Sequence, residues 1–556
     1  QATIQQCLDK AMLAKVSQSS ALLDVKLSLN HEQQRIFEAI TTSPTADKHY
    51  VYGVTGSGKT YLYIALARYW VERGHQVLVL IPEIGLTPQM IEKFSGYFDR
   101  TQVGCLHSGL SDQQRYQTWH ACSTGDVKLL IGTRSALFAP LPQLKAIIMD
   151  EEHDLSYQQM SQVRYSARGG CFMRAQAQDC ALILGSATPS LACLRQIQDK
   201  HLIKHELAQR FENVAMPTIE LIEIKPKALE VGFANQALAL IDETLRQQKR
   251  ALVFINRRGY APCLWCPECD KNRICHGCDK PMVYHQADKR MACHRCQVSE
   301  SMSYRCQFCH KDTLVPLGEG TEKVALFLKQ RFPDHQVIKM DRDSAKTWRD
   351  MGRLLESIHE AGPKIIVATQ MLVKGHHIEG LDAVVVLGAD QSFFSQDYKA
   401  QEHLLAQMHQ VIGRSGRDGG SGRVAIQTAY PGHPLWSYVQ QHAYLSGAEH
   451  LLKERAKYAL PPYTSQVAIQ LHGRHKEQLY SQADRLCQQL KSSTKGVEIH
   501  GPIPSTLAKL KGQHKAVILL QGSSRSQLQY VLHRLPDRLR ALQATQWVID
   551  RDPVEV

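Results

Sequence analysis

The sequence has no uninterrupted apolar run long enough to cross a bilayer, and its first thirty residues lack the charged-then-apolar layout of a secretory signal. Membrane-spanning and exported classes are therefore not indicated. No segment repeats at a fixed period and no long stretch is of low complexity, so repeat architectures are not indicated either. Aromatic residues are sparse at 7%, beside 43% hydrophobic and 21% charged residues, an ordinary balance for globular protein. At 556 residues the chain is too long for one hydrophobic core, and three or four domains are expected. It begins at Gln1 rather than Met, which leads us to expect processing or trimming upstream.

What is present is more specific. Net charge is +13, from 66 Lys and Arg against 53 Asp and Glu, and a basic excess concentrates polyanions such as nucleic acid. Of sixteen cysteines, nine fall between Cys263 and Cys309. Without a secretory signal, a tight cluster of CxxC pairs reads as metal ligation rather than disulfides.

Along the chain, residues 1–28 read as a helix and linker. Short apolar strands (HYVY, QVLVLIP, KLLIGT, AIIMDEEH, ALILGS) then alternate with helical sequence over 29–210, which predicts a mostly parallel sheet covered on both faces. The alternation resumes over 211–262 and 316–436 with TIELIEI, RALVFINRR, HQVIKMD, PKIIVATQ, DAVVVLG and RVAIQT. Two α/β blocks of similar size predict two lobes facing each other across a cleft. The cysteine-rich stretch, 263–315, interrupts the second block and reads as an insertion within it. From 437 to 556 the texture changes: a helical segment over 436–458, then strands and helices of a small α+β domain.

The strongest chemical signal is GVTGSGKT at 53–60, between a strand and a helix. Gly53, Thr55, Gly56, Ser57 and Gly58 form a turn whose N–H groups can point at phosphates without a Cβ in the way. Lys59 is placed for the β- and γ-phosphates and Thr60 for Mg²⁺. Downstream, AIIMDEEH ends an apolar strand in three acids, which is costly unless a cation neutralises them. Asp150 is expected to hold Mg²⁺ through water, Glu151 to polarise the attacking water, and His153 to link the site to the facing lobe. In the second block, QVIGRSGR places Arg414 and Arg417 three residues apart, a pair able to present guanidinium groups to a γ-phosphate.

In this order, GVTGSGKT, DEEH, GSATPS (185–190) and QVIGRSGR resemble motifs I, II, III and VI of superfamily 2 helicases. PEIGLTPQ, GTRSALFAP, DEEHD, GTEK and TQMLVKGH are similar to the PriA family of bacterial replication-restart helicases in particular, as is an insertion of paired cysteines. The resemblance runs from about residue 27 to the closing DRDPVEV. It implies two RecA-like lobes, ATP and Mg²⁺ as cofactors, Gln33 in LNHEQ as the adenine contact, and 3′ to 5′ unwinding at arrested forks. It implies primosome proteins as partners, with single-stranded DNA-binding protein as a further candidate, and work in the bacterial cytoplasm at the nucleoid. PEIGLTPQ, HSGLSD and GTRSALFAP resemble the DNA-facing segments of the first lobe, and GEGTEK and ATQMLVKGHH resemble motifs of the second; Thr133, Arg134, Thr369 and Lys374 are candidate backbone contacts for single-stranded and forked DNA. The family also carries upstream DNA-binding domains, so fork recognition is not expected within these residues. Its aromatic-rich loop keeps Tyr157 and Tyr165 here but no Trp, and weaker base stacking on that loop is expected. In KGHHIEG the acid and aromatic common after KGH are replaced.

Eight cysteines make four CxxC knuckles and two tetrahedral S₄ sites suited to two Zn²⁺ ions, with iron–sulfur ligation as the rival. The first two knuckles are too close in sequence to close a ribbon. We therefore pair the outer ones (Cys266, Cys269, Cys306, Cys309) and the inner ones (Cys275, Cys278, Cys293, Cys296), the nested arrangement that the resemblance also implies. Cys263 is surplus. The fold class expected is α/β: two RecA-like lobes, a double zinc-binding insertion in the second, and a small C-terminal α+β domain. Two other functions compete with unwinding. One is translocation on duplex DNA without strand separation, and the other is a scaffold with a vestigial ATPase.

Overall fold

Runs such as Gln76–Leu80 are buried at every residue, which only a strand covered on both faces permits. The computed structural model describes residues 27–553 except 45–46, 83–90, 95, 161–162, 209–214, 225–228, 257–262, 267, 270, 278–281, 286–289, 293–297, 318–320, 342–343, 345–347, 370–377, 395–396, 417–421, 495, 511–512, 541 and 543–545. The helix expected before residue 27 lies outside the described residues.

Lobe one comprises α1 (His31–Thr41), β1 (Lys48–Gly53), α2 (Lys59–Val71), β2 (Gln76–Leu80), β3 (Val103–Leu106), α3 (Asp112–Thr124), β4 (Leu129–Gly132), β5 (Leu144–Asp150), α4 (Ala167–Gln178), β6 (Ala181–Ser186), α5 (Leu191–Gln198) and β7 (Ile203–Leu207). Its strands lie in the order β3-β4-β2-β5-β6-β1-β7, and every pairing is parallel. Alternate residues serve opposite faces. Val51, Val79, Ile148 and Ile183 meet Ile36, Leu62 and Leu66 of α1 and α2. Tyr50, Leu78, Ile147 and Leu182 meet Cys122, Cys171 and Ala175 of α3 and α4. Strands β3 and β7, which the sequence reading did not name, are short or polar, and β7 buries only Leu207.

Lobe two repeats the scheme with β8 (Thr218–Glu223), α6 (Asn235–Arg246) and β9 (Arg250–Ile255) before the insertion. The insertion contains β10 (Cys263–Cys266), β11 (Lys271–Asn272), β12 (Val283–His285), β13 (Arg290–Ala292), β14 (Ser299–Ser301) and β15 (Val315–Leu317). Strand β10 pairs β15, so the module begins and finishes on neighbouring strands. The lobe resumes with α7 (Thr321–Arg331), β16 (Gln336–Met340), α8 (Trp348–His359), β17 (Lys364–Ala368), β18 (Leu381–Leu387), α9 (Ala400–Ile412) and β19 (Arg423–Thr428). The order β16-β17-β9-β18-β19-β8 is again parallel throughout.

The helix expected over 436–458 is two helices, α10 (Pro434–Gln440) and α11 (Tyr444–Lys457), separated where His442 takes a φ of 55°. Trp436, Leu451 and Leu452 pack into the core of lobe two. Beyond them β20 (Ser465–Gly473), α12 (Lys476–Ser493), β21 (Val497–Leu510), β22 (Gln513–Gly522), α13 (Arg525–Arg540) and β23 (Gln546–Arg551) form an antiparallel sheet, β21-β22-β20-β23. Leu479, Leu486, Leu528 and Leu535 of its helices cover Val467, Ile469 and Ile518 of its strands. The chain is thus two RecA-like parallel lobes, an insertion in the second and a C-terminal α+β domain. Among the described residues no helix is long and apolar enough to cross a membrane.

Candidate functional site

Strand β1 delivers the Gly-rich loop to the carboxyl edge of the sheet, where parallel α/β folds bind ligands. Gly56 and Gly58 take φ of 86° and 78°, conformations that favour glycine. A Cβ on Gly58 would also lie 2.6 Å from Gln33 Nε2. Lys59 Nζ donates to the carbonyl of Gly53 at 2.8 Å, so the lysine spans its own loop. Gln33 is buried: its amide donates to the carbonyls of Ser57 (3.4 Å) and Gly58 (3.2 Å), and its Oε1 accepts from Asn30 N at 3.0 Å. Here, then, the residue expected at adenine braces the loop. Ser57 Oγ is buried without a hydrogen-bond partner. An orphaned hydroxyl in a loop of inward-turning N–H groups fits a phosphate acceptor.

At the end of β5, Asp150 Oδ1 accepts from Tyr63 OH at 3.2 Å, and its main-chain oxygen accepts from Tyr157 OH at 2.7 Å. Burial and the adjacent Glu151 push the Asp150 carboxyl up to about 7, with Lys59 opposing. A divalent cation would relieve that cost, so the residue fits Mg²⁺. Glu151 takes a φ of 47°, and its Oε2 accepts from Ser186 Oγ at 3.1 Å. His153 Nδ1 lies 2.7 Å from the same hydroxyl and 3.5 Å from Glu151 Oε2.

The third acid corrects the expectation that a cation neutralises the whole run. Glu152 turns into the protein, where it accepts from Tyr50 OH (2.9 Å), Ser190 N (2.8 Å), Ser190 Oγ (3.0 Å) and Arg168 (2.9 Å). Burial alone would raise its pKa, but Arg168 and the Ser190 N–H outweigh burial and hold it below the usual value. Arg168 supplies the positive charge that the sequence reading assigned to a metal.

Lobe two reaches the same place through α9. Gln410 Nε2 lies 2.7 Å from His153 Nε2 and donates to Thr188 Oγ1 at 3.3 Å, so the second, third and sixth motifs meet. The backbone of Gly413 passes so close to the P-loop that a Cβ there would be 2.8 Å from the Thr55 side chain. Arg414 is 7% exposed, and burial lowers its pKa to about 10 against the pull of Glu151. Arg417 and Lys374 lie outside the described residues, as do the stretches 83–90, 318–320 and 370–377 of the remaining motifs. Thr60 opens α2 beside Lys59, Thr133 precedes a short 3₁₀ turn, and Thr369 follows β17. Arg134 is half-buried, and one guanidinium nitrogen donates to the carbonyls of Ser156 and Gln158, each at 2.7 Å. Tyr157 is 2% exposed and holds Asp150, whereas Tyr165 meets the exposed Phe138 edge-on at 5.0 Å. Sequence reasoning missed Tyr63 and Arg168, because nothing in their spacing marks them as neighbours of the acids, and placed Tyr157 in a base-stacking loop without its bond to Asp150. Gln410 was in view as the first residue of QVIGRSGR.

In the insertion, Cys266, Cys269, Cys306 and Cys309 bring their sulfurs within 4.8 Å of one another. Cys266 and Cys309 are 3.5 Å apart, Cys269 and Cys306 3.6 Å, much too far for disulfides. Four thiolates around tetrahedral zinc at its usual bond length sit about 3.8 Å apart, so the donor set fits that metal. Outer knuckles therefore pair as expected. Cys275 is buried beside them, while Cys278, Cys293 and Cys296 lie outside the described residues.

Residues 30–197 match the DEAD/DEAH box helicase family and residues 456–554 the primosomal protein N C-terminal domain. The chain is 35% identical to replication restart protein PriA of Haemophilus influenzae over 96% of its own length and 73% of that protein's. It is 32% identical to PriA of Rickettsia felis (97% and 82%) and 32% identical to PriA of Bacillus subtilis (92% and 64%). It thus spans under two thirds of the Bacillus protein's length.

Proposed function

The chain belongs to the PriA family of replication restart proteins and carries a helicase domain, and from that premise we propose that it is the ATP-driven motor of a 3′ to 5′ DNA helicase. In this reading it binds single-stranded and forked DNA, unwinds duplex DNA at arrested forks and helps assemble the primosome in the bacterial cytoplasm. One observation carries the motor reading: Gln410 and Gly413 of lobe two lie against His153 and Thr55 of lobe one, beside the carboxylates of Asp150 and Glu151. A nucleotide in that cleft touches both lobes at once, so its presence and its loss change how the lobes are held.

Bound ATP·Mg²⁺ supplies the phosphoryl group and the divalent charge. Lys59 leaves the Gly53 carbonyl for the phosphates, and the loop N–H groups from Gly53 to Thr60 hold them in place. Thr60 and Asp150 hold the cation. Glu151, oriented by Ser186 and His153, takes the proton of the attacking water. Arg414 and Arg417 stabilise the charge that develops on the transferring group. The insertion, spanning 263–315, holds two zinc ions in nested sites, which metal analysis of the purified chain checks directly.

Hydrolysis measured with and without single-stranded DNA tests the motor. Strong stimulation by DNA is expected, with loss of about a hundredfold or more in Lys59→Ala. A wild-type chain that binds zinc and hydrolyses no ATP under either condition would overturn it. Separation of a partial duplex then distinguishes unwinding from movement along intact duplex.

A further inference from the structure

Arg164 belongs to lobe one, but its guanidinium is held by the C-terminal domain. One nitrogen pairs with Asp550 on β23, and another donates to Gln470 on β20 at 3.3 Å. Asp550 is 1% exposed, and one of its carboxylate oxygens has no hydrogen-bond partner. Taking this pair out of water is costly, and an orphaned buried acceptor adds to the cost, so stability alone does not account for it. What such a pair does provide is a fixed register between the two bodies it joins.

That register leads to the catalytic edge. Tyr165, next to Arg164, accepts at its carbonyl from Gln159 N at 2.8 Å, and Gln158 bridges Ser166. Arg134 fastens the Gln158 arm through the two carbonyl contacts described above. Immediately before that arm, Tyr157 OH ties the main chain of Asp150 (2.7 Å) to that of Leu80 (2.9 Å). Lys399 of lobe two donates to the carbonyl of Pro553 at 2.9 Å, so the same end of the C-terminal domain grips both lobes.

We propose that Asp550 is a positioning residue for ATP hydrolysis. Through Arg164 and the paired arms at Gln158–Gln159 and Tyr165–Ser166, the C-terminal domain sets the placement of Asp150 and hence of the cation it holds. The proposal rests on the hydrolysis reading above, so wild type and Lys59→Ala are assayed first; failure there falls on that reading and not on this one.

In the full chain, Arg164→Ala, Asp550→Asn and the milder Gln470→Ala are then compared with the exchange R164D/D550R. A misplacement of about 1 Å is enough to cost hydrolysis tenfold or more. The expected result is a kcat about tenfold lower in the two charge variants, with KM for ATP within about twofold and half-saturation by Mg²⁺ moved to higher concentration. Gln470→Ala shows a smaller shift in the same direction, and the exchange recovers most of the kcat. Unfolding midpoints are followed in parallel. Variants that fold and keep wild-type kcat and Mg²⁺ dependence overturn the proposal. So does an exchange that restores the midpoint and leaves kcat low, or a charge variant whose kcat loss equals its loss of folded protein while Gln470→Ala is unchanged.

Discussion

In lobe one the sheet is covered on both faces by side chains such as Val79, Ile148, Leu78 and Ile147, each wholly buried, whereas the core of the insertion comprises, among the described residues, Cys266, Cys275, Met282, Met291, Cys306 and Leu314. Half of that small core is cysteine assigned to metal, and the strands around it run to two, three or four residues. A unit of this size buries too little apolar surface to offset its chain entropy. Lobe one folds because water is excluded from it. In the insertion, metal–thiolate bonds at Cys266, Cys269, Cys306 and Cys309 would take the place of a larger apolar core.

Breaking that contrast is most direct at the metal. Chelation, or Cys306→Ser, is expected to unfold the insertion, with a loss on the scale of roughly 10 kcal/mol seen for structural zinc in small modules. Hydrogen exchange would show Val283–His285 and Arg290–Ala292 losing protection while Gln76–Leu80 and Leu144–Asp150 keep theirs. Simultaneous loss in lobe one would end the comparison.

The reverse experiment lies at Glu152, whose side chain is 0% exposed and paired with Arg168. Arg168→Ala leaves that carboxylate buried without its cation and is expected to cost about 3–5 kcal/mol in denaturant unfolding of lobe one, with zinc content unchanged.

A smaller effect separates chemistry from stability within lobe one. Without Mg²⁺, burial and Glu151 hold the Asp150 carboxyl up to about 7 in the folded chain, while an unfolded aspartate loses its proton near about 4. The folded state thus binds the extra proton between these values, and stability falls as pH rises from about 4 to about 7. Asp150→Asn should remove that slope and leave the metal-free chain more stable than wild type at pH values above the window. Urea midpoints across the range, repeated with saturating Mg²⁺, check it; a slope that persists in the variant argues against Asp150 as its source.

The smallest expected effect is at Gly413, where a Cβ would press on Thr55 across the cleft. Gly413→Ala should leave the zinc module unchanged, lower the unfolding free energy by about 1 kcal/mol and lower DNA-stimulated hydrolysis several-fold. An unaffected rate would show that the lobes need not approach this closely.

Much of this arrangement was legible in the sequence because it is local. Gly56 and Gly58 are read from a loop pattern whose φ requirement is intrinsic to the residue. The strands QVLVL and AIIMD are read from apolar runs, and the outer pairing of Cys266, Cys269, Cys306 and Cys309 from knuckle spacing. Edge strands such as Ile203–Leu207 escape because a strand with one buried residue has no apolar signature. The break between α10 and α11 escapes because Gln440, Gln441, His442 and Ala443 include no Gly or Pro to signal it.

Chemical identity was therefore set along the chain: which loop can turn its N–H groups toward a phosphate, which strand ends in acids, which cysteines come together. Its assignment to partners was decided only in three dimensions. Of three adjacent acids, Asp150 faces the P-loop lysine, Glu151 faces His153, and Glu152 turns inward to Arg168. Arg134 holds the carbonyls of Ser156 and Gln158, and Arg164 reaches a residue 386 positions away. A charged side chain must find the nearest compensating group when water leaves, and which group is nearest depends on how the domains stack.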